Sequence, residues 1–239
     1  MKSTLNTLII SLFFATFFAK ADLQQGIDAA NEGDFETALY HFNYLVENNY
    51  GPAVYHLGQM YENGYGIPKD PAKAAKIYQK GVELGEADAM FALGVLYQYG
   101  NGVKKDLQKS FSLYEKAANK GLVTAQFNLG IMYANGTGVI QDFFSAKKWY
   151  TLAAAQNYPA AQFNLALLYF EGHGVEKSVE MSFIWNSVAE FNGFKDASHS
   201  RKLDERKMSP SEVKDATEKA NELYQKILAG KYHGDERRI

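Results

Sequence analysis

Small and apolar residues return every 36 positions through the middle of the chain. Ala53, Ala89, Ala125 and Ala161 form one column, Leu57, Leu93, Leu129 and Leu165 a second, and Tyr61, Tyr97, Tyr133 and Tyr169 a third. Gly58, Gly94 and Gly130 make a fourth column, which Ala166 completes. Within a copy these positions are spaced by four, one and three residues, so they share one stripe of a 3.6-residue helix. The pattern predicts a first helix with small residues on its buried face, against which a neighbouring backbone can pack closely.

Two glycine columns follow, Gly64, Gly100, Gly136, Gly172 and then Gly66, Gly102, Gly138, Gly174. Glycine reaches positive φ without strain, so each pair predicts a tight reversal of the chain. A branched residue comes next (Ile67, Val103, Val139 or Val175), then, three positions on, Asp70, Asp106, Asp142 or Ser178. These are helix-capping residues, and Pro71 after Asp70 suits the first helical position. The second helix carries an apolar stripe of Ala74, Ile77, Tyr78 and Gly81, and Gly85, Gly121, Asn157 and Gly193 mark where such helices stop. Helix, loop and helix repeated at this period predict stacked helical hairpins.

The columns resemble the Sel-one-like repeat family, which is related to tetratricopeptide repeats. The copy AQFNLGIMYANGTGV from Ala125 to Val139 and the segment AKKWYTLAA from Ala146 to Ala154 carry the resemblance most fully. It implies an all-α fold, an α/α solenoid whose hairpins stack into a right-handed superhelix. The period sets repeats at 50–85, 86–121, 122–157 and 158–193. A shortened N-terminal copy is expected over 22–49, because Asp34, Ala38 and Phe42 stand one period before Asp70, Ala74 and Tyr78. Asn186 stands where Tyr78, Tyr114 and Tyr150 are found, which predicts looser packing in the fourth copy.

After Ala197 the pattern lapses, with Arg201, Lys202 and Glu205 at the leucine, glycine and tyrosine positions. Residues 194–230 are therefore expected to form a C-terminal capping unit with a polar outer face. Its last helix is marked by a Ser209/Glu212 capping box, Pro210, a stripe of Val213, Ala216, Ala220, Leu223 and Ile227, and Gly230 as the stop. Residues 231–239 read as a flexible polar tail.

At the N-terminus Lys2 precedes an apolar run from Leu8 to Ala19, and Ala19, Lys20 and Ala21 have the small-x-small form of a cleavable export signal. Residues 1–21 are expected to be that signal peptide, since the run is shorter than the roughly 20 residues of a membrane span. The expected destination is the periplasm, with secretion as second choice, and no stable membrane insertion after cleavage. With 25 basic against 27 acidic residues the charge balance argues against nucleic acid as a partner. The absence of cysteine excludes disulfides and thiolate metal sites, so the fold must rely on its core, in which the 14% of aromatic residues take part.

Candidate chemistry is sparse. The G-x-G pairs follow helices, lack a third glycine and recur in every copy, so they read as turns and not as a nucleotide site. His41, His56, His173, His199 and His233 are scattered singly, and no metal or cofactor is expected. Ser145 and Lys148 form S-x-x-K, the arrangement of penicillin-binding enzymes, but the companion S-D-N and K-T-G elements are missing. What remains is a binding surface on the first helices. Its candidate protein-binding residues are His56, Gln59, Val95 and Tyr99, then Asn128, Ile131 and Asn135, then Asn164, Leu167 and Glu171. The expected function is that of a non-catalytic periplasmic adaptor binding a protein or peptide. The resemblance implies three settings: control of envelope enzymes, modulation of a membrane signalling or motility complex, and immunity toward type VI secretion effectors. A lactam- or peptidoglycan-directed enzyme is the competing class, and peptidoglycan association through exposed tyrosines, Tyr99 and Tyr65, is a third.

Overall fold

The computed structural model describes residues 18–234, so most of the expected signal peptide lies outside the described residues. Among the described residues the chain is helical and has no strand. It forms two compact units, one up to Leu113 and one from Tyr114. The first contains α1 (residues 18–32), α2 (Phe35–Glu47), α3 (Pro52–Asn63), α4 (Pro71–Leu84) and α5 (Ala87–Tyr99). α6 (Leu107–Asn119) crosses the boundary. The second contains α7 (Val123–Asn135), α8 (Phe143–Ala155), α9 (Pro159–Glu171), α10 (Val179–Phe191), α11 (Lys195–Glu205) and α12 (Pro210–Leu228). Consecutive helices pack on one another in each unit, and α12 closes the second by packing on α10. This is the α/α solenoid expected from the repeat period.

The loop within each hairpin is closed by local bonds. In the first full copy the Gly64 and Tyr65 N–H groups both donate to the Met60 carbonyl (2.9 and 3.0 Å), with Gly64 at φ +81°. The chain then turns back, and the Asp70 N–H donates to the Tyr61 carbonyl at 2.7 Å. The same bond recurs from Asp106 to Tyr97, from Asp142 to Tyr133 and from Ser178 to Tyr169, each at 2.9 Å. The capping side chains then accept from the new helix: Asp70 from Lys73 N–H (2.9 Å), Asp106 from Lys109 (3.0 Å), Asp142 from Phe144 (3.0 Å) and Ser178 from Met181 (3.1 Å). One residue per copy thus satisfies orphan groups on both helices.

Side-chain packing follows the columns. The alanines at 53, 89, 125 and 161 are fully buried, and the leucines four positions on are nearly so. The second-helix tyrosine lies against the small residue of the first helix: a methyl on Gly130 would stand 2.5 Å from Tyr150 Cε1, and one on Gly58 would collide with the Tyr78 ring. Burial pushes the Tyr150 hydroxyl up to about 12, and Tyr78, whose hydroxyl donates to Glu62 at 2.8 Å, is pushed up further by burial and by that carboxylate. Gln126 and Gln162, where the earlier copies have apolar Val54 and Met90, are buried and donate to the Ala118 and Ala154 carbonyls (3.2 and 3.3 Å).

Two expectations need correction. The fourth copy is not loose as a whole: residues 182–189 of α10 are all buried, Trp185 among them, and the weaker packing expected at Asn186 is confined to one cavity beside it. The segment after Gly230 is not loose throughout either, since Tyr232 is 6% exposed and meets Trp185 edge to face at 5.8 Å. Upstream, α1 already includes residues 18–21, and Ala19 and Leu23 pack on the core of the first unit.

The second loop glycine has two reasons to be glycine. Gly174 holds φ +67°, and a methyl there would stand 2.6 Å from the Phe143 carbonyl carbon at the start of α8. Gly193 holds φ +80° with open space around it. Gly193→Ala is expected to cost the left-handed penalty of about 1–2 kcal/mol. Gly174→Ala adds the collision and should cost about 1–3 kcal/mol more, by urea denaturation monitored by circular dichroism.

Candidate functional site

Most of the expected binding residues are engaged by neighbours within their own unit. In the first unit, His56 stacks on Phe42 (ring centroids 5.2 Å apart), and burial lowers its pKa against the charge of Asp88. Gln59 donates to the Tyr55 hydroxyl at 2.8 Å, Val95 is half-buried, and Tyr99 is 73% exposed. Tyr65 stacks on Phe35. In the second unit, Asn128 donates to the Thr124 carbonyl (2.8 Å), Asn164 hydrogen-bonds the Tyr150 hydroxyl, and Ile131 packs on the core. Asn135 is exposed, and Glu171 approaches His173 Nδ1 at 2.9 Å, while the His173 ring stacks on Phe143. Leu167 is 44% exposed and opens on a cavity that the other nine do not line.

That cavity, about 120 Å³, lies between α9, α10 and α11 within the second unit. Phe163, Leu167 and Phe170 line it from α9, Ser182 and Asn186 from α10, and Ser200, Leu203 and Asp204 from α11. Its floor is a buried polar group. Asp204, 1% exposed, accepts through Oδ2 from the Ser182 hydroxyl (2.8 Å) and the Asn186 amide (2.9 Å). Burial raises the Asp204 pKa, against the lowering effect of those two bonds and of the Lys207 charge. Asn186 is 2% exposed, and its Oδ1 has no hydrogen-bond partner among the described residues.

The cavity exists because three columns change together. In the earlier copies a second-helix tyrosine fills this space against the ring that corresponds to Phe163: Tyr78 stacks on Tyr55, and Tyr150 lies tilted against Phe127. Copy four has Asn186 in place of the tyrosine and Ala166 in place of the glycine the tyrosine needed. One period after Leu96, Met132 and Leu168, the column delivers Asp204. The sequence signal for this site was the coincidence of these departures, and Asn186 taken alone reads only as weak packing.

Both side chains of the S-x-x-K pair have other partners. The Ser145 hydroxyl donates to the Asp142 cap at 2.6 Å, and the Lys148 ammonium lies over the Trp149 ring. Among the described residues no cluster of three histidine or acidic side chains could hold a metal, and no helix is long and apolar enough to cross a membrane.

The Sel1 repeat family model matches residues 51–86, 87–122, 123–158 and 159–185, more than half of the chain. The chain belongs to the Sel1 repeat family. Sel1 repeats are protein-interaction modules and generally non-catalytic. This Sel1 repeat protein is similar to a protective antigen with an SLR fold from uropathogenic Escherichia coli, at 28% identity and a TM-score of 0.76. The match covers 89% of this chain and 46% of the antigen, so the chain spans less than half of that relative. A Sel1 repeat protein from Oxalobacter formigenes matches at 26% identity and TM-score 0.68, over 73% of this chain and 72% of the other. Immunity protein Pa5087 from Pseudomonas aeruginosa shares the fold at 20% identity and TM-score 0.51, over 88% of this chain and 82% of its own. No curated protein matches.

Returning the three columns to the form of the earlier copies, A166G/N186Y/D204L, should fill the cavity and remove a buried charge, raising unfolding free energy by about 2 kcal/mol in urea melts. The raised Asp204 pKa also sets a sign. The folded chain holds that proton more tightly than the unfolded one, so stability is lost as pH rises above the ordinary carboxylate value of 3.8. Asp204→Asn should lack this loss, and parallel melts from pH 4 to pH 8 check it.

Proposed function

We propose that this Sel1 repeat protein is exported to the periplasm and acts there as a non-catalytic scaffold that binds and regulates an envelope protein. Export is supported by Lys2, the apolar run to Ala19 and the Ala19-Lys20-Ala21 pattern. The observation that carries the scaffold reading is the partly exposed apolar opening between α9, α10 and α11. His56, Gln59, Asn128 and Asn164 are tied to neighbouring residues, whereas Leu167 and Leu203, 44% and 40% exposed, flank an open cavity that the repeat pattern would otherwise fill. Immunity is the special case in which the partner is a secreted effector, and the Pseudomonas immunity protein supports it through fold alone.

A photo-crosslinking amino acid at position 167 is expected to capture one protein species in intact envelopes, and a Leu203→Glu background should remove that adduct. The same probe at Asn135, exposed on another part of the second unit, should give none. An absence of adducts from position 167 overturns the scaffold reading. Hydrolysis of a chromogenic lactam that disappears in Ser145→Ala overturns its non-catalytic part.

A further inference from the structure

The cavity between α9, α10 and α11 also indicates what it would receive. At about 120 Å³ it is far below the roughly 300–1,000 Å³ of pockets that enclose drug-sized ligands, so it fits a single side chain. Its walls, Phe163, Leu167, Phe170 and Leu203, suit an aliphatic stem. The buried donors of its floor, the Ser182 hydroxyl and the Asn186 amide, are already directed at Asp204, and the Asn186 carbonyl oxygen is buried without a partner. A buried acceptor in that state costs free energy until a donor reaches it.

The charge on the floor is similarly incomplete. Asp204 is held by neutral donors, and among the described residues no basic group forms an ion pair with it. The nearby cations form no ion pair with Asp204, although the Lys207 charge acts on it. Arg201 bonds Glu190 and Glu205 at 2.6 and 3.2 Å, and the Lys207 ammonium lies 4.0 Å from the Phe170 ring centre. That second contact shows an aromatic wall already attracting a cation at the cavity edge.

We propose that this cavity receives a lysine or arginine side chain from the docked protein partner, its stem against the phenylalanines and its cationic head on Asp204 and Asn186. The assignment rests on the scaffold reading and specifies which side chain anchors the partner. It also accounts for the joint change at 166, 186 and 204, which opens a sleeve and places an acceptor-rich floor beneath it.

The test is an NMR titration of the full chain with four probes: the Nα-acetyl N-methylamides of lysine, arginine, Nε-acetyl-lysine and norleucine. The lysine or arginine probe, whichever head the partner uses, should shift Ser200, Leu203 and Asp204 saturably and bind at least ten-fold more tightly than the two neutral probes. Asp204→Asn should abolish that preference, and A166G/N186Y/D204L should abolish binding, with circular dichroism confirming that both variants are folded. Equal binding of the norleucine and basic probes, an unchanged preference in Asp204→Asn, or no saturable shift would each overturn the assignment. A crosslinked partner at position 167 that is indifferent to Asp204→Asn overturns this inference and leaves the scaffold standing. Saturable probe binding by a chain that captures no protein overturns the scaffold reading, and with it the protein source of the side chain.

Discussion

The arrangement depends on one steric exchange, the sharing of space between a small residue on the first helix of a hairpin and a ring on the second. Where the first helix offers Gly58 or Gly130, the ring of Tyr78 or Tyr150 fills the gap so closely that a methyl group would not fit. Close-packed interiors do not leave such volumes empty without cost. When both partners change in copy four, to Ala166 and Asn186, the volume is neither filled nor closed. Residues 182–189 of α10 all stay buried, so the opening is local. A scaffold of near-identical units thereby acquires one position unlike the others.

Loop chemistry is shared by the hairpins of that scaffold, the fourth included. Each reversal is fixed by left-handed glycines and by a cap residue that donates to one helix and accepts from the next. These bonds lie within a single hairpin. Several polar residues first expected to contact a partner are bonded inside the fold instead, Gln59 to Tyr55 along α3 and Asn164 to Tyr150 between α9 and α8.

The fold was legible because periodicity reports burial directly: a column that must be alanine or leucine in every copy faces the core in every copy. The caps were legible for the same reason, as Asp142 and Ser178 occupy one register. The candidate site was not, because it is defined by exceptions. Asn186 alone suggests poor packing, Ala166 alone a tolerated methyl, and Asp204 falls where the motif has already lapsed. Their meaning appears once α9, α10 and α11 bring them together. Tyr232 was missed for a related reason, since a single aromatic in a polar segment carries no period, yet it finds Trp185.

The bond from each cap residue back to the preceding tyrosine carbonyl has a consequence for how such chains lengthen. Because a hairpin completes its own main-chain bonding, an in-frame duplication of 36 residues supplies a finished brick whose only demand is a matching column on either side. Copies can therefore be gained while their loops stay as they are, and novelty accumulates by altering the ring, the small residue and the apolar knob of one brick at a time.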